Sequence, residues 1–228
     1  MNDIKIFKFS IAELCQRSDK LSLSFNRDQN EFLNYGYDAS TIETLQTRTE
    51  VLKQFPSDAY YEGNQKLATD AKNNSRTTLE ANIIDLRNRV KFVYGIKSVD
   101  YGIFQFGKIG DSTDSELVQI ALHVCQVAEP RLDKLAERKV TAETIDEIKA
   151  NRTELDDLID AQAIAITERK EKTLERIKLA NELYKQISEL SDVGKLVWKG
   201  KNEAFYNDYV IYGSTKSMIE ESEIVETE

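Results

Sequence analysis

The strongest constraint on this chain is that it nearly repeats itself. Ile6-Phe7-Lys8-Phe9-Ser10 matches Ile103-Phe104-Gln105-Phe106-Gly107 at an offset of 97. Ala39, Thr41, Ile42, Glu43 and Leu45 match Ala142, Thr144, Ile145, Asp146 and Ile148 at an offset of 103. Arg48-Thr49-Glu50 matches Arg152-Thr153-Glu154 at 104. At the same offset Leu79, Ile83, Leu86, Phe92, Val93 and Tyr94 fall on Leu183, Ile187, Leu190, Leu196, Val197 and Trp198. Asp100, Tyr101, Ile103 and Phe104 then match Asp208, Tyr209, Ile211 and Tyr212 at 108. The offset never falls along the chain, as small insertions in a second copy require, whereas chance matches would scatter. The first helix alone lacks a unique register, because Cys15-Gln16 also aligns with Cys125-Gln126 at 110.

Each copy reads as an extended segment, a helix, and then a long helical hairpin. Ile4 to Phe9 alternates imperfectly and is rich in aromatics, which is strand-like. A helix is expected from about Ala12 to Leu33, closed by Tyr35-Gly36. Asp38 or Ser40 can cap the next helix, Pro56 breaks or kinks it, and Ser57 or Asp58 can cap a restart. Asn73-Asn74-Ser75 is a second possible break, after which a helix runs from about Thr77 to Tyr94 and ends at Gly95. In the second copy a helix follows Ser112 to Asp114 and continues to about Arg138.

From Thr141, a plausible N-cap, to Trp198 there is no Pro, and Gly194 is the one Gly. Apolar residues recur there at spacings of three and four, from Ile145 to Val197, as one stripe of coiled-coil character. A single helix of that length would be roughly 85 Å long at 1.5 Å per residue. Pro56 and Asn73-Asn74 in the first copy favour a turn near Asp157 to Ala161 or near Glu168 to Lys172 instead.

The fold expected is mainly α: a tandem-duplicated antiparallel helical bundle with long hairpin helices and a few short β-strands at the repeat junctions. The domains expected are a first repeat unit over residues 1–100, a second over 101–213, and a disordered acidic tail over 214–228. The scarcity of punctuation, 9 Gly and 2 Pro in 228 residues, also disfavours a many-turned β fold.

The net charge of −9 carries no basic stripe of the kind that phosphate backbones require, so no nucleic acid partner is expected. Five acidic residues of that excess sit in the tail: Glu220, Glu221, Glu223, Glu226 and Glu228. No apolar run is long enough to span a bilayer, Met1-Asn2-Asp3 does not open a secretory signal, and a cytoplasmic protein with little membrane contact is expected. Cys15 and Cys125 read as buried thiols on apolar helical stretches.

No catalytic, cofactor-binding or metal-binding residues are expected. His123 is the only histidine, and Ile120 stands where a di-iron bundle would carry Glu in its Glu-x-x-His pair. Two Cys and one His spread along the chain do not make a zinc site. Gly107-Lys108-Ile109-Gly110-Asp111-Ser112 lacks the phosphate-loop spacing. The acidic cluster Glu154-Leu155-Asp156-Asp157 suits the wet face of a helix.

The aromatics are the remaining feature. Phe7, Phe9, Tyr101, Phe104, Phe106, Trp198, Phe205, Tyr206, Tyr209 and Tyr212 are read either as hydrophobic caps on the bundles or as a contact surface. Taken together, these features lead us to expect a non-enzymatic structural or interaction protein. It would be a self-associating helical scaffold, forming filaments if extended edges add between molecules, with itself or another protein as partner. A helical pore-forming or membrane-remodelling protein is the alternative, with Ala161 to Ile166 as its apolar tip.

Overall fold

The computed structural model describes residues 4–212. The tail expected to be disordered, 214–228, lies outside the described residues. Within them the chain is mainly helical: α1 (Ile11–Arg27), α2 (Gln29–Leu33), α3 (Ala39–Gln54), α4 (Asp58–Tyr94), α5 (Val99–Gly102), α6 (Asp114–Ala128), α7 (Leu132–Leu135), α8 (Ala142–Trp198) and α9 (Glu203–Asp208). Short 3₁₀ turns at Ile109–Asp111, Glu129–Arg131 and Ala136–Arg138 complete the order.

Several expected elements are redrawn. The single helix from Ala12 to Leu33 is interrupted at Asp28, whose backbone leaves the helical region at φ −104° and ψ 17°. The helix expected through Arg138 ends at Ala128, because Pro130 cannot continue it and a 3₁₀ turn takes over. Asn73-Asn74 is no break, and α4 runs unbroken for 37 residues. The stretch after Thr141 has no turn at Asp157–Ala161 or Glu168–Lys172, and α8 is one helix of 57 residues. Neither of those stretches contains a helix breaker, and their Glu, Lys, Arg, Leu and Ala are good helix formers. The break at Pro56 is as read: Ser57 caps α4 by accepting from the Tyr60 N–H at 3.3 Å.

The short β-strands are absent among the described residues. Around Ile6 the reason is a side chain distant in sequence. Asn181 on α8 offers its side-chain amide in place of a neighbouring strand. The Ile6 N–H donates to Asn181 Oδ1 at 3.1 Å, and Asn181 Nδ2 donates to the Ile4 carbonyl at 2.9 Å. At the second site Tyr101 belongs to α5, and Gln105 takes a positive φ of 46°, which no ladder accommodates.

The chain divides into two compact units. Unit 1 comprises the residues up to Pro56 together with those from Lys172 onward; unit 2 is Ser57–Glu171. The helix α8 therefore contributes its first part to unit 2 and its last part to unit 1.

In unit 1, Leu14, Leu21 and Phe25 of α1, Phe32 of α2, Leu45 and Leu52 of α3 and Leu183, Ile187 and Leu190 of α8 form one buried cluster. Three buried hydroxyls inside it are paired. Ser18 and Thr49 share a hydrogen bond of 2.6 Å, Thr49 Oγ1 donates to the Leu45 carbonyl, and Ser22 Oγ donates to the Ser18 carbonyl. In unit 2, Leu79, Ile83, Leu86 and Val90 of α4 bury with Leu117, Val118, Ala121, Val124 and Cys125 of α6 and with Ile145, Ile148 and Leu155 of α8. A four-membered ion network at the start of α6 closes one end of this unit. Asp114 accepts from Lys72 Nζ at 2.5 Å and from Arg76 at 2.7 Å, and Arg76 also pairs with Glu80.

Leu79→Ala and Leu183→Ala each remove a fully buried leucine. Each is expected to cost about 2–5 kcal/mol in urea denaturation followed by circular dichroism. Phe92→Ala and Leu196→Ala lie on exposed faces of the same two helices, at 67% and 61% exposure, and are expected to stay within about 0.5 kcal/mol.

Candidate functional site

The most elaborate side-chain constellation lies in unit 1 and begins at the break between α1 and α2. Asp28 is 4% exposed and is an acid inside an apolar cluster. Its carboxylate is matched on both oxygens. Oδ1 accepts from Arg27 Nε at 2.8 Å. Oδ2 accepts from Arg27 at 2.7 Å, from Trp198 Nε1 at 2.8 Å and from the Tyr209 hydroxyl at 2.6 Å. Arg27 and Asp28 are sequence neighbours; Trp198 ends α8 and Tyr209 follows α9. The anchor therefore ties the beginning of the chain to its last described residues.

The electrostatics follow from this geometry. Burial alone would push the Asp28 carboxyl up, but the hydrogen bonds from Arg27, Tyr209 and Trp198 and the guanidinium charge outweigh it and hold the group below its ordinary value. The Tyr209 hydroxyl is pushed well above its usual range by burial and by donating to Asp28. Arg27 is fixed on two further sides. It pairs with Asp208 at 2.7 Å, and its guanidinium lies 3.7 Å from the centre of the Phe205 ring. Phe205 in turn meets Trp198 edge-on at 4.8 Å between ring centres.

Tyr209 reaches Asp28 across Gly194. A Cβ at position 194 would stand 2.2 Å from the Tyr209 ring, so the one Gly of α8 exists at a close approach that no side chain permits. Further along, Arg17 donates to the Ile211 carbonyl, and Tyr212 rests on Phe9 at 5.7 Å between rings and shares a hydrogen bond with Tyr184 at 3.2 Å. All four donors at Asp28 are spent on its carboxylate. This constellation therefore acts as a lock that closes the segment after α8 over α1.

The ten aromatic residues separate into several environments. Phe7 and Tyr209 are buried in unit 1, and Phe104 and Phe106 are buried and stacked on each other at 5.3 Å in unit 2. These four are core, with their rings covered by their own chain. Phe9, Tyr101, Trp198, Phe205 and Tyr206 are half-buried, and Tyr212 is exposed. The structure brings the segments around Phe9 and Tyr212 together. The residues that reading the sequence missed are Asp28, Asn181 and Gly194. Gly194 alone carried a signal, as a solitary glycine in a long helical pattern.

The other chemistry-bearing residues have structural partners. His123 Nε2 is 3.0 Å from the Ile103 carbonyl. Cys15 and Cys125 are buried, and burial pushes the Cys125 thiol up to about 11. Among the described residues no group of three or more His, Cys, Asp or Glu gathers as metal ligands would, and no helix is long and apolar enough to cross a membrane. No protein-family model, curated protein sequence or solved structure matches this chain.

The anchor has a defined pH signature. Because the folded Asp28 carboxyl titrates below its unfolded value, its stabilisation is fully present above that unfolded value and is lost as pH falls through the folded one. The loss is therefore confined to strongly acidic solution, below roughly pH 4. Asp28→Asn is expected to lower stability at pH 7 by about 1–3 kcal/mol. It should also flatten the acid limb of the melting-temperature profile between about pH 4 and pH 2. Thermal melts of both proteins across pH 2–7 test this. Parallel profiles would show that the anchor contributes no titrating stabilisation.

Proposed function

We propose that this chain is a non-enzymatic helical scaffold, built by tandem duplication, that acts by self-association. The observation that carries the reading is the matched burial of the two units. At a constant offset of 103, the buried positions Leu14, Cys15, Ser18, Leu21, Ser22 and Phe25 of α1 fall on Leu117, Val118, Ala121, Val124, Cys125 and Ala128 of α6, all buried. The same offset carries Phe32 to Leu135, Ile42 to Ile145, Leu45 to Ile148 and Leu52 to Leu155. The caps agree as well: Ser10 accepts from the Glu13 N–H, and Thr113 accepts from the Glu116 N–H. At 104, Leu79, Ile83 and Leu86 fall on Leu183, Ile187 and Leu190, again all buried.

This pattern favours 103 as the register of the first helix and makes Cys15 opposite Cys125 a coincidence. The buried register stays at 103 through Leu52, which overrides the 104 read for Arg48-Thr49-Glu50. Between 52 and 79 the second copy gains one residue, and no proline stands opposite Pro56.

Each compact unit combines the first half of one copy with the second half of the other. In unit 1, α1 and α3 of the first copy are covered by the last part of α8 from the second. In unit 2, α6 and the first part of α8 are covered by α4. A single copy thus leaves its apolar stripe for another copy to bury, and this complementarity supports association between copies.

Sedimentation of the full chain across a wide concentration range is expected to show a species of at least twice its 26.1 kDa mass that grows with concentration. A monomer at every concentration would overturn the self-association.

A further inference from the structure

We infer that the partner in this self-association is a second copy of the chain that exchanges residues up to Pro56, so that unit 1 is completed between molecules. The inference rests on the self-associating reading above and adds the surface through which it occurs.

Unit 1 is the unit made of two separate pieces. Unit 2 is continuous from Ser57 to Glu171, whereas unit 1 needs the residues before it and the residues after it. The first piece holds α1, α2 and α3; the second holds the last part of α8, α9 and the turn to Tyr212. Everything that joins them inside one chain is equally available from another. The Asp28 anchor joins Trp198 and Tyr209 to the first piece. Arg48 donates to Gln186 Oε1 at 2.8 Å, the Tyr37 hydroxyl donates to Glu189 at 2.6 Å, and Gln186 Nε2 donates to the Thr41 carbonyl at 3.2 Å. The apolar contacts of the same cluster travel with them. A closed monomer and an exchanged dimer contain the same bonds inside unit 1. They differ in the connection between the pieces and in the entropy of association.

That connection is short and already extended. Three residues separate α3 from α4: Phe55 at ψ 127°, Pro56, and Ser57 at ψ 159°. Proline fixes its own φ and keeps Phe55 out of the helical region, so the connection resists collapse into a helix and has few conformations to lose on opening. The equivalent stretch of the second copy, around Ile159 and Asp160, passes straight through α8. The same repeat thus tolerates a continuous path at this point. Short hinges of this kind are where elements exchange between copies. If each chain donates its first piece to one neighbour and accepts one from another, the exchange need not close at two molecules, and an open chain of copies results.

The test uses the full-length protein with Arg48→Cys and Gln186→Cys together, since these side chains meet across the two pieces. Cys15 and Cys125 are buried, which keeps them from a native-state reaction. The protein is refolded at high concentration, the dimer fraction is isolated, and a short bismaleimide is added before a denaturing gel. Exchange predicts that most cross-linked material in that fraction runs as two linked chains, while the monomer fraction yields single chains. A dimer fraction that yields only internally linked single chains overturns the exchange and leaves self-association through another surface standing. The absence of any dimer overturns both.

A second measurement covers weak cross-linking. Phe25→Asp and Leu183→Asp each place a charge in the unit 1 core from opposite pieces. Refolded together, they should recover a mixed dimer with one intact unit 1. Its mark is a blue-shifted emission of the single tryptophan that neither variant shows alone. Two variants that stay separate after co-refolding, with exposed tryptophan, contradict the exchange.

Discussion

Leu183, Ile187 and Leu190 line one side of α8 and are buried because Leu14, Phe25 and Leu45, from far earlier in the sequence, share their cluster. A helix with one apolar stripe gains little from its own hydrogen bonds in water and is stable only when that stripe is covered. In this chain the cover comes from a distant segment in each unit. Leu79, Ile83 and Leu86 of α4 are likewise covered by α6 and by the first part of α8. The position of Pro56, the unbroken length of α8 and the division into a continuous and a discontinuous unit all bear on how those distant partners meet.

The two units then solve their chain ends differently. Unit 2 caps its core with aromatic stacking of Phe104 on Phe106 and with the Asp114 ion network. Unit 1 places an ionised acid in apolar surroundings and surrounds it with an arginine, an indole and a phenol. Removing one partner of such a group leaves a buried charge incompletely matched, so the arrangement is stable only when all its members are in place. It therefore specifies where the segment after α8 must lie, which an apolar contact alone would leave loose. On the proposed duplication this anchor belongs to one copy only. Position 131, the counterpart of Asp28, is arginine, and position 90, the counterpart of Gly194, is valine.

How much of this was legible in the sequence depends on the range of the interaction. The helical class, the Pro56 break and the Ser57 cap could be read because each is decided within a few residues. The strands at Ile6 and Tyr101 were misread because alternation is a local signal, whereas Asn181 and the positive φ of Gln105 decide the outcome. The anchoring role of Asp28 was invisible because its donors Trp198 and Tyr209 lie at the other end of the chain. The turn expected in α8 rested on transferring Pro56 to a matching stretch that has no breaker at that point. The aromatic list mixed core with surface because residue type alone does not say which face of the chain covers Phe7 or Phe104.

The central claim is that neither half of the sequence completes a core without the other. It is tested most directly by dividing the chain in the turn between α4 and α5, after Lys97, and preparing residues 1–97 and 98–228 separately. Ser98, which caps α5, stays with its helix. The account predicts that the two fragments mix into a one-to-one complex with the circular dichroism and cooperative melt of the intact chain. Two halves that each fold and melt cooperatively as monomers, and that elute separately after mixing, would contradict it.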